Sequence, residues 1–191
     1  LANHRLQTAL ADLYPGNLVY TVSTGVIHHR LIGKITELNQ VPSYPLEPRA
    51  LGPYMCVPFG KILRGKVVPN TVTKTLHTDK VFEPDIKSWS IEAYPFYSSL
   101  EDQIRTIKSF RRPVILVDDI LHSADRLRTL HPMFEEQGIE VAKVLVGVMS
   151  GRGRDLITLM DREADSVYYI PNLRSWFVES SIYPFIGGDT V

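Results

Sequence analysis

The chain has 191 residues, long enough to bury a full core and near the size at which one domain spanning residues 1–191 is the expectation. Its 21 Lys plus Arg balance 21 Asp plus Glu, which excludes a bulk field drawing nucleic acid or an anionic membrane and leaves any anion site to local arrangement. A single cysteine, Cys56, excludes an internal disulfide framework and a zinc site of several thiolates, and suits a reducing compartment.

Leu6, Leu10 and Leu13 recur at helical spacing until Pro15-Gly16 stops the pattern. Leu18 to Val22 reads as a buried strand, Ser23-Thr24-Gly25 as a turn, and Ile27, Leu31, Ile35 and Leu38 as one apolar helical face, a β-turn-α unit. Pro42, Pro45, Pro48 and Pro53 make the next stretch an extended connector to a strand over Tyr54 to Phe59. Residues 60–97 mix basic, β-branched and aromatic side chains, and the alternation of Thr71 to Thr75 predicts a strand within a hairpin-bearing excursion.

From Leu100 the pattern sharpens. Leu100, Ile104 and Ile107 mark a helix, Val114 to Val117 a central parallel strand, and Leu127, Leu130 and Phe134 a second helix ended by Gly138. Val141 to Val148 is a further buried strand, Asp155 to Glu163 a helix, and Ser166 to Ile170 a last strand before an aromatic tail. The alternation predicts an α/β fold: an open, mostly parallel sheet with helices on both faces.

Ligands bind such sheets beyond the carboxyl ends of the strands. There, after Val114 to Val117, stand Asp118 and Asp119, two adjacent carboxylates suited to accept hydrogen bonds from paired hydroxyls or to face a divalent metal, with the next helix start offering amides to a phosphate. Ser150-Gly151-Arg152-Gly153-Arg154 follows the next strand and reads as an anion nest or as a tight turn with exposed arginines.

The stretch 114–127 resembles the signature of the type I phosphoribosyltransferases: several apolar residues, two acids, then a short phosphate loop. The order of elements resembles that family over most of the chain. The resemblance implies that Asp118 and Asp119 read a ribose diol and that His122, Ser123, Ala124, Asp125 and Arg126 hold a 5′-phosphate. The family has Thr-Gly-x-Thr where this chain has Ser123-Ala124-Asp125-Arg126, so one hydroxyl is kept and Arg126 offers a bidentate contact instead. By the same resemblance Thr24 and Gly25 fall on a pyrophosphate loop, and the excursion 60–97 on a mobile basic loop. There Lys74 and His77 are candidates to stabilise leaving pyrophosphate, Lys74 with a catalytic role. The tail falls on a hood over the base, with Trp176, Phe177, Tyr183 or Phe185 to stack on it. Independently of the resemblance, the anion-nest reading of residues 150–154 makes Arg152 a substrate contact.

Three readings follow. The chain transfers a phosphoribosyl group between phosphoribosyl diphosphate and a nitrogenous base, with Mg²⁺ carried on the diphosphate. Alternatively it is an inactive regulatory module that keeps the ribose-phosphate pocket. A phosphoacceptor receiver, whose acidic strand end is similar, is set aside because too little chain follows Asp119. The expected partner is a small sugar phosphate or nucleotide, in the cytoplasm, with no nucleic acid and no membrane. A homodimer is left open, and a start at Leu1 in place of Met reads as a processed product or as a domain cut from a longer protein, the latter with an N-terminal partner domain missing.

Overall fold

A computed structural model describes residues 2–85 and 87–176. Five strands form one sheet: β1 (Met55–Pro58), β2 (Val72–Thr73), β5 (Val114–Leu121), β6 (Val141–Ser150) and β7 (Ala164–Ile170), in the order β2-β1-β5-β6-β7, every pair parallel. Between β2 and β5 the chain makes an antiparallel hairpin of β3 (Thr78–Phe82) and β4 (Trp89–Ala93). Helices α1 (Ala2–Leu13), α2 (Thr24–Leu38), α3 (Leu100–Ser109), α4 (Asp125–Glu136) and α5 (Gly151–Leu159) complete the described chain. Among the described residues, no helix is long and apolar enough to cross a membrane.

The two-residue period of the strands sorts their side chains between two cores. Met55, Val57, Val114, Leu116, Val144 and Val146 pack with Ile104 and Ile107 of α3, Leu127, Leu130 and Phe134 of α4, and Ile157 of α5. Cys56, Ile115, Val117 and Leu145 pack on the other face with Leu31 and Ile35 of α2. Helices therefore cover both faces, as the alternating pattern predicts. Val114 to Val117 are almost wholly buried, and at about 1.5–3 kcal/mol for each large apolar side chain removed from water they fix β5 at the centre of the sheet.

Three expectations are corrected. Leu18 to Val22 is not a strand: Leu18 is 76% and Tyr20 68% exposed, and the segment lies along α1, where Gln7 Nε2 donates to the Val19 carbonyl at 2.8 Å. A short apolar run becomes a strand only if a sheet edge accepts it, and beside β1 that place is taken by β2. Thr71 to Thr75 does not enter a hairpin either. Its strand portion is β2, in parallel register with Met55 and Cys56, and the hairpin begins at Thr78. Lastly, the helix expected over Asp155 to Glu163 starts at Gly151 and ends at Leu159, because Ser150 caps it through a bond from the Gly153 amide to Oγ at 2.9 Å.

Candidate functional site

β5 runs past its apolar core and carries Asp118 and Asp119 on its carboxyl-terminal half. Alternation turns Asp118 toward α4, where its side chain is 12% exposed, and leaves Asp119 at 49%. Asp118 Oδ1 accepts from Arg126 Nη1 at 2.7 Å and from the Asp119 amide at 2.9 Å, and the same guanidinium nitrogen stands 3.9 Å from Asp119 Oδ1. Burial pushes the Asp118 carboxyl well above the usual range, Arg126 pulls it back, and the neighbouring Asp119 charge adds to the rise.

The turn from β5 into α4 is built by local side chains. Ser123 Oγ donates to Asp125 Oδ2 at 2.6 Å, while Arg128 Nη2 reaches both Asp125 Oδ1 and the Ser123 carbonyl at 2.9 Å. The Asp125 charge is thus engaged within its own turn. Ala124, at the helix cap, has φ +56° and ψ 21° and makes no side-chain cap bond. An L-residue pays about 1–2 kcal/mol for that left-handed conformation, a strain that often marks a working loop. The first amides of α4 therefore face the turn without a side-chain acceptor from the cap residue, in the arrangement that suits an anion.

His122 is buried, with Nδ1 2.9 Å from Ser150 Oγ and its ring 5.3 Å from that of Trp176. Burial pushes its pKa down, the Arg152 charge pushes it further, and Asp125 opposes, so the neutral ring is favoured. Gly151 and Gly153 serve packing: a Cβ on Gly151 would lie 2.7 Å from the Pro171 carbonyl oxygen, and one on Gly153 2.1 Å from that of Leu121. Close approach of α5 to the strand ends explains both glycines.

A cleft of about 60 Å³ opens here, lined by residues 118–127 together with Val146, Trp176, Lys80 and Ile91. A volume of this order takes one phosphate-sized group, and the rest of a larger ligand would lie outside it along the half-exposed Asp119. Lys80 and Ile91 are cross-strand partners in the β3-β4 hairpin, and Lys80 Nζ lies 4.1 Å from the centre of the Trp89 ring. The hairpin thus delivers Lys80 to the cleft, whereas Lys74 and His77 are not among its lining residues. The Lys74 amide extends the β2 pairing by donating to the Cys56 carbonyl at 3.0 Å, and His77 stacks on Tyr97 at 3.7 Å.

Thr24 and Gly25 open α2 just after Ser23. They are not among the residues lining the cleft; the helix they open reaches the end of β6 at Ile27, whose Cγ2, like the Asp119 carbonyl oxygen, would lie 2.8 Å from a Cβ added to Gly147. Gly147 escapes the motif reading, although a lone glycine inside an apolar strand signals close backbone approach. Phe177, Tyr183 and Phe185 lie outside the described residues. No group of three or more His, Cys, Asp or Glu side chains that could hold a metal ion occurs among the described residues.

No family model matches the chain, and no curated protein matches it in sequence. Among solved structures, it is similar to a hypoxanthine phosphoribosyltransferase from Trypanosoma cruzi complexed with the product IMP, at 14% identity and a TM-score of 0.49, over 90% of this chain and 89% of that one. A purine phosphoribosyltransferase from Pyrococcus horikoshii is 16% identical with a TM-score of 0.43, over 84% of this chain and 90% of that one. An adenine phosphoribosyltransferase from Thermoanaerobacter pseudethanolicus is 11% identical with a TM-score of 0.43, over 82% and 92% respectively. Likenesses at this level carry no argument about chemistry, which rests on the residues of the cleft.

Proposed function

We propose that the chain binds a 5′-phosphorylated ribose, with phosphoribosyl diphosphate as the reactive form, in the cleft at the carboxyl end of β5. The observation that carries this reading is the meeting in one cleft of the Asp118–Asp119 pair and the start of α4. Carboxylates accept well from a vicinal diol, and helix-start amides and Arg126 donate well to a phosphate. The ribose would lie along the acid pair, its 5′-phosphate over residues 122–126, and C1 toward the hairpin.

Arg126 already engages the acid pair, so a magnesium ion fits this site on the diphosphate of the ligand rather than on the protein carboxylates. Bound there, it would neutralise the departing diphosphate. In the transfer step a base nitrogen would form a bond to C1 as the C1–O bond breaks, the electron pair leaving with diphosphate and the proton of that nitrogen passing to solvent. Lys80 is the cleft's cation on the hairpin side, suited to charge developing there.

The test is a titration of intrinsic fluorescence, since Trp176 lines the cleft. Ribose 5-phosphate, nucleoside 5′-monophosphates and phosphoribosyl diphosphate with Mg²⁺ should each give a saturable change. Diphosphate release on adding a purine or pyrimidine base marks a transferase; saturable binding without release marks a regulatory module. No change with any ligand would remove the reading.

A further inference from the structure

Ser150 closes β6 and caps α5, and it is buried. Its Oγ accepts from the Gly153 amide at 2.9 Å, which leaves the hydroxyl proton to be placed. Two acceptors lie near it, His122 Nδ1 at 2.9 Å and the Leu121 carbonyl at 3.5 Å. Bonds from a hydroxyl to an oxygen span about 2.5–3.0 Å, so the carbonyl lies beyond the normal range. If Nδ1 carried the ring proton and donated to Oγ, the buried hydroxyl would keep only that distant carbonyl, and a buried donor without a partner is costly. The hydroxyl therefore donates to Nδ1, which must be unprotonated.

A neutral imidazole has one N–H and one lone pair, so a lone pair at Nδ1 puts the proton on Nε2. Burial, and then the Arg152 charge, favour the neutral ring against the pull of Asp125. His122 lines the cleft beside Trp176. Among the described residues no protein group bonds to Nε2, and this nitrogen is not sealed from solvent. A ligand in the cleft therefore meets an N–H and finds no lone pair on the ring.

We infer that Ser150 is a positioning residue: by donating to Nδ1 it holds His122 in the Nε2–H tautomer, so that a neutral imidazole donates to a ligand oxygen and does not act as the base of a transfer step. The inference rests on the ribose-phosphate reading of the cleft. It assigns the Ser150 hydroxyl a task beyond capping α5.

Long-range nitrogen–proton correlation spectra of the full chain, labelled in its histidine nitrogens, read the tautomer directly, because an unprotonated ring nitrogen resonates far downfield of a protonated one. In the wild type at neutral pH, Nδ1 of His122 should be the downfield nitrogen. Ser150→Ala should draw the two resonances toward each other as the tautomers mix, and Ser150→Thr, which keeps the hydroxyl and a good cap, should restore the wild-type pattern. Ribose 5-phosphate should shift Nε2 of the wild type and leave Nδ1 downfield. A wild-type ring protonated at Nδ1 would overturn the inference whether or not the variants fold. Ser150→Ala indistinguishable from the wild type, or Ser150→Thr resembling Ser150→Ala, would overturn the role of Ser150. An unmoved Nε2 while the amides of residues 118–127 respond would overturn the donor role and leave the site standing. If ribose 5-phosphate shifts nothing, the ribose-phosphate reading falls and takes the donor role with it, while the spectrum of the free protein still decides the tautomer.

Discussion

Asp118→Asn combined with Asp119→Asn is expected to abolish the stabilisation that a ribose phosphate confers, while the domain stays folded. A ligand at about one hundred times its dissociation constant raises wild-type stability by roughly 2.7 kcal/mol, a shift readable in a melting curve. Asparagine keeps the size of the side chain but exchanges part of its acceptor capacity for an amide that cannot accept from a diol hydroxyl. The fold should survive because the buried Asp118 carboxyl costs stability as well as providing function. Burial raises the folded pKa of Asp118 above its unfolded value, so the folded state holds the proton over a window in which the unfolded chain has released it. That cost is absent at acid pH, grows as pH climbs out of the ordinary carboxylate range, and is complete above the raised value. The double variant carries none of it and should gain on the wild type across that window, less what Arg126 loses with its partner. A ligand-induced shift that persists in the double variant would show that the acids do not read the ligand.

Gly153→Ala should be the most damaging of the glycine-to-alanine changes in the described chain. Its Cβ would stand 2.1 Å from the Leu121 carbonyl oxygen and 2.7 Å from the carbonyl carbon, both backbone atoms of β5 that no rotamer change can move aside. Either the end of β5 or the start of α5 must shift, and both carry the site: His122 follows Leu121, and Ser150 bonds to His122 and to the Gly153 amide. The expected loss is about 3 kcal/mol or more, the upper range of overpacking. Gly33→Ala is the internal control. Gly33 lies inside α2 with nothing within 4 Å of an added Cβ, so alanine there should be neutral or stabilising by up to about 1 kcal/mol. Urea denaturation measures both, and equal stability of the two variants would contradict the packing account.

Much of this architecture is legible where side-chain period and burial agree. Val114 to Val117 is apolar throughout because both faces of β5 are covered, and Leu127, Leu130 and Phe134 repeat because one stripe of α4 meets the sheet. The acid pair is legible for the same reason, since charge is conspicuous directly after a buried run. Leu18 to Val22 has the composition of a strand, yet no sheet edge receives it, and the availability of an edge is not a local property of sequence. Lys80 rather than Lys74 reaches the cleft because the hairpin begins at Thr78, which fixes the register that pairs Lys80 with Ile91. In a stretch dense in Lys and Arg, composition alone cannot separate the two. The Gly-Arg-Gly-Arg run shows a third kind of ambiguity: glycines that would open a nest for an anion look the same as glycines that let two backbones touch, and only the 2.1 and 2.7 Å separations to Leu121 and Pro171 distinguish them.

The central claim is that a ribose phosphate sits at the carboxyl end of β5, and a map of backbone amide shifts on adding ribose 5-phosphate tests it most directly. The largest changes should fall on residues 118–127, with smaller ones at Thr24, Gly25 and the Trp176 indole. A second cavity of about 240 Å³, lined by Lys34, Glu37, Leu38, Lys143, Leu145 and Asp165, provides the alternative location. Changes centred there, around the Lys34–Asp165 pair at 2.6 Å, or no changes anywhere, would contradict the account.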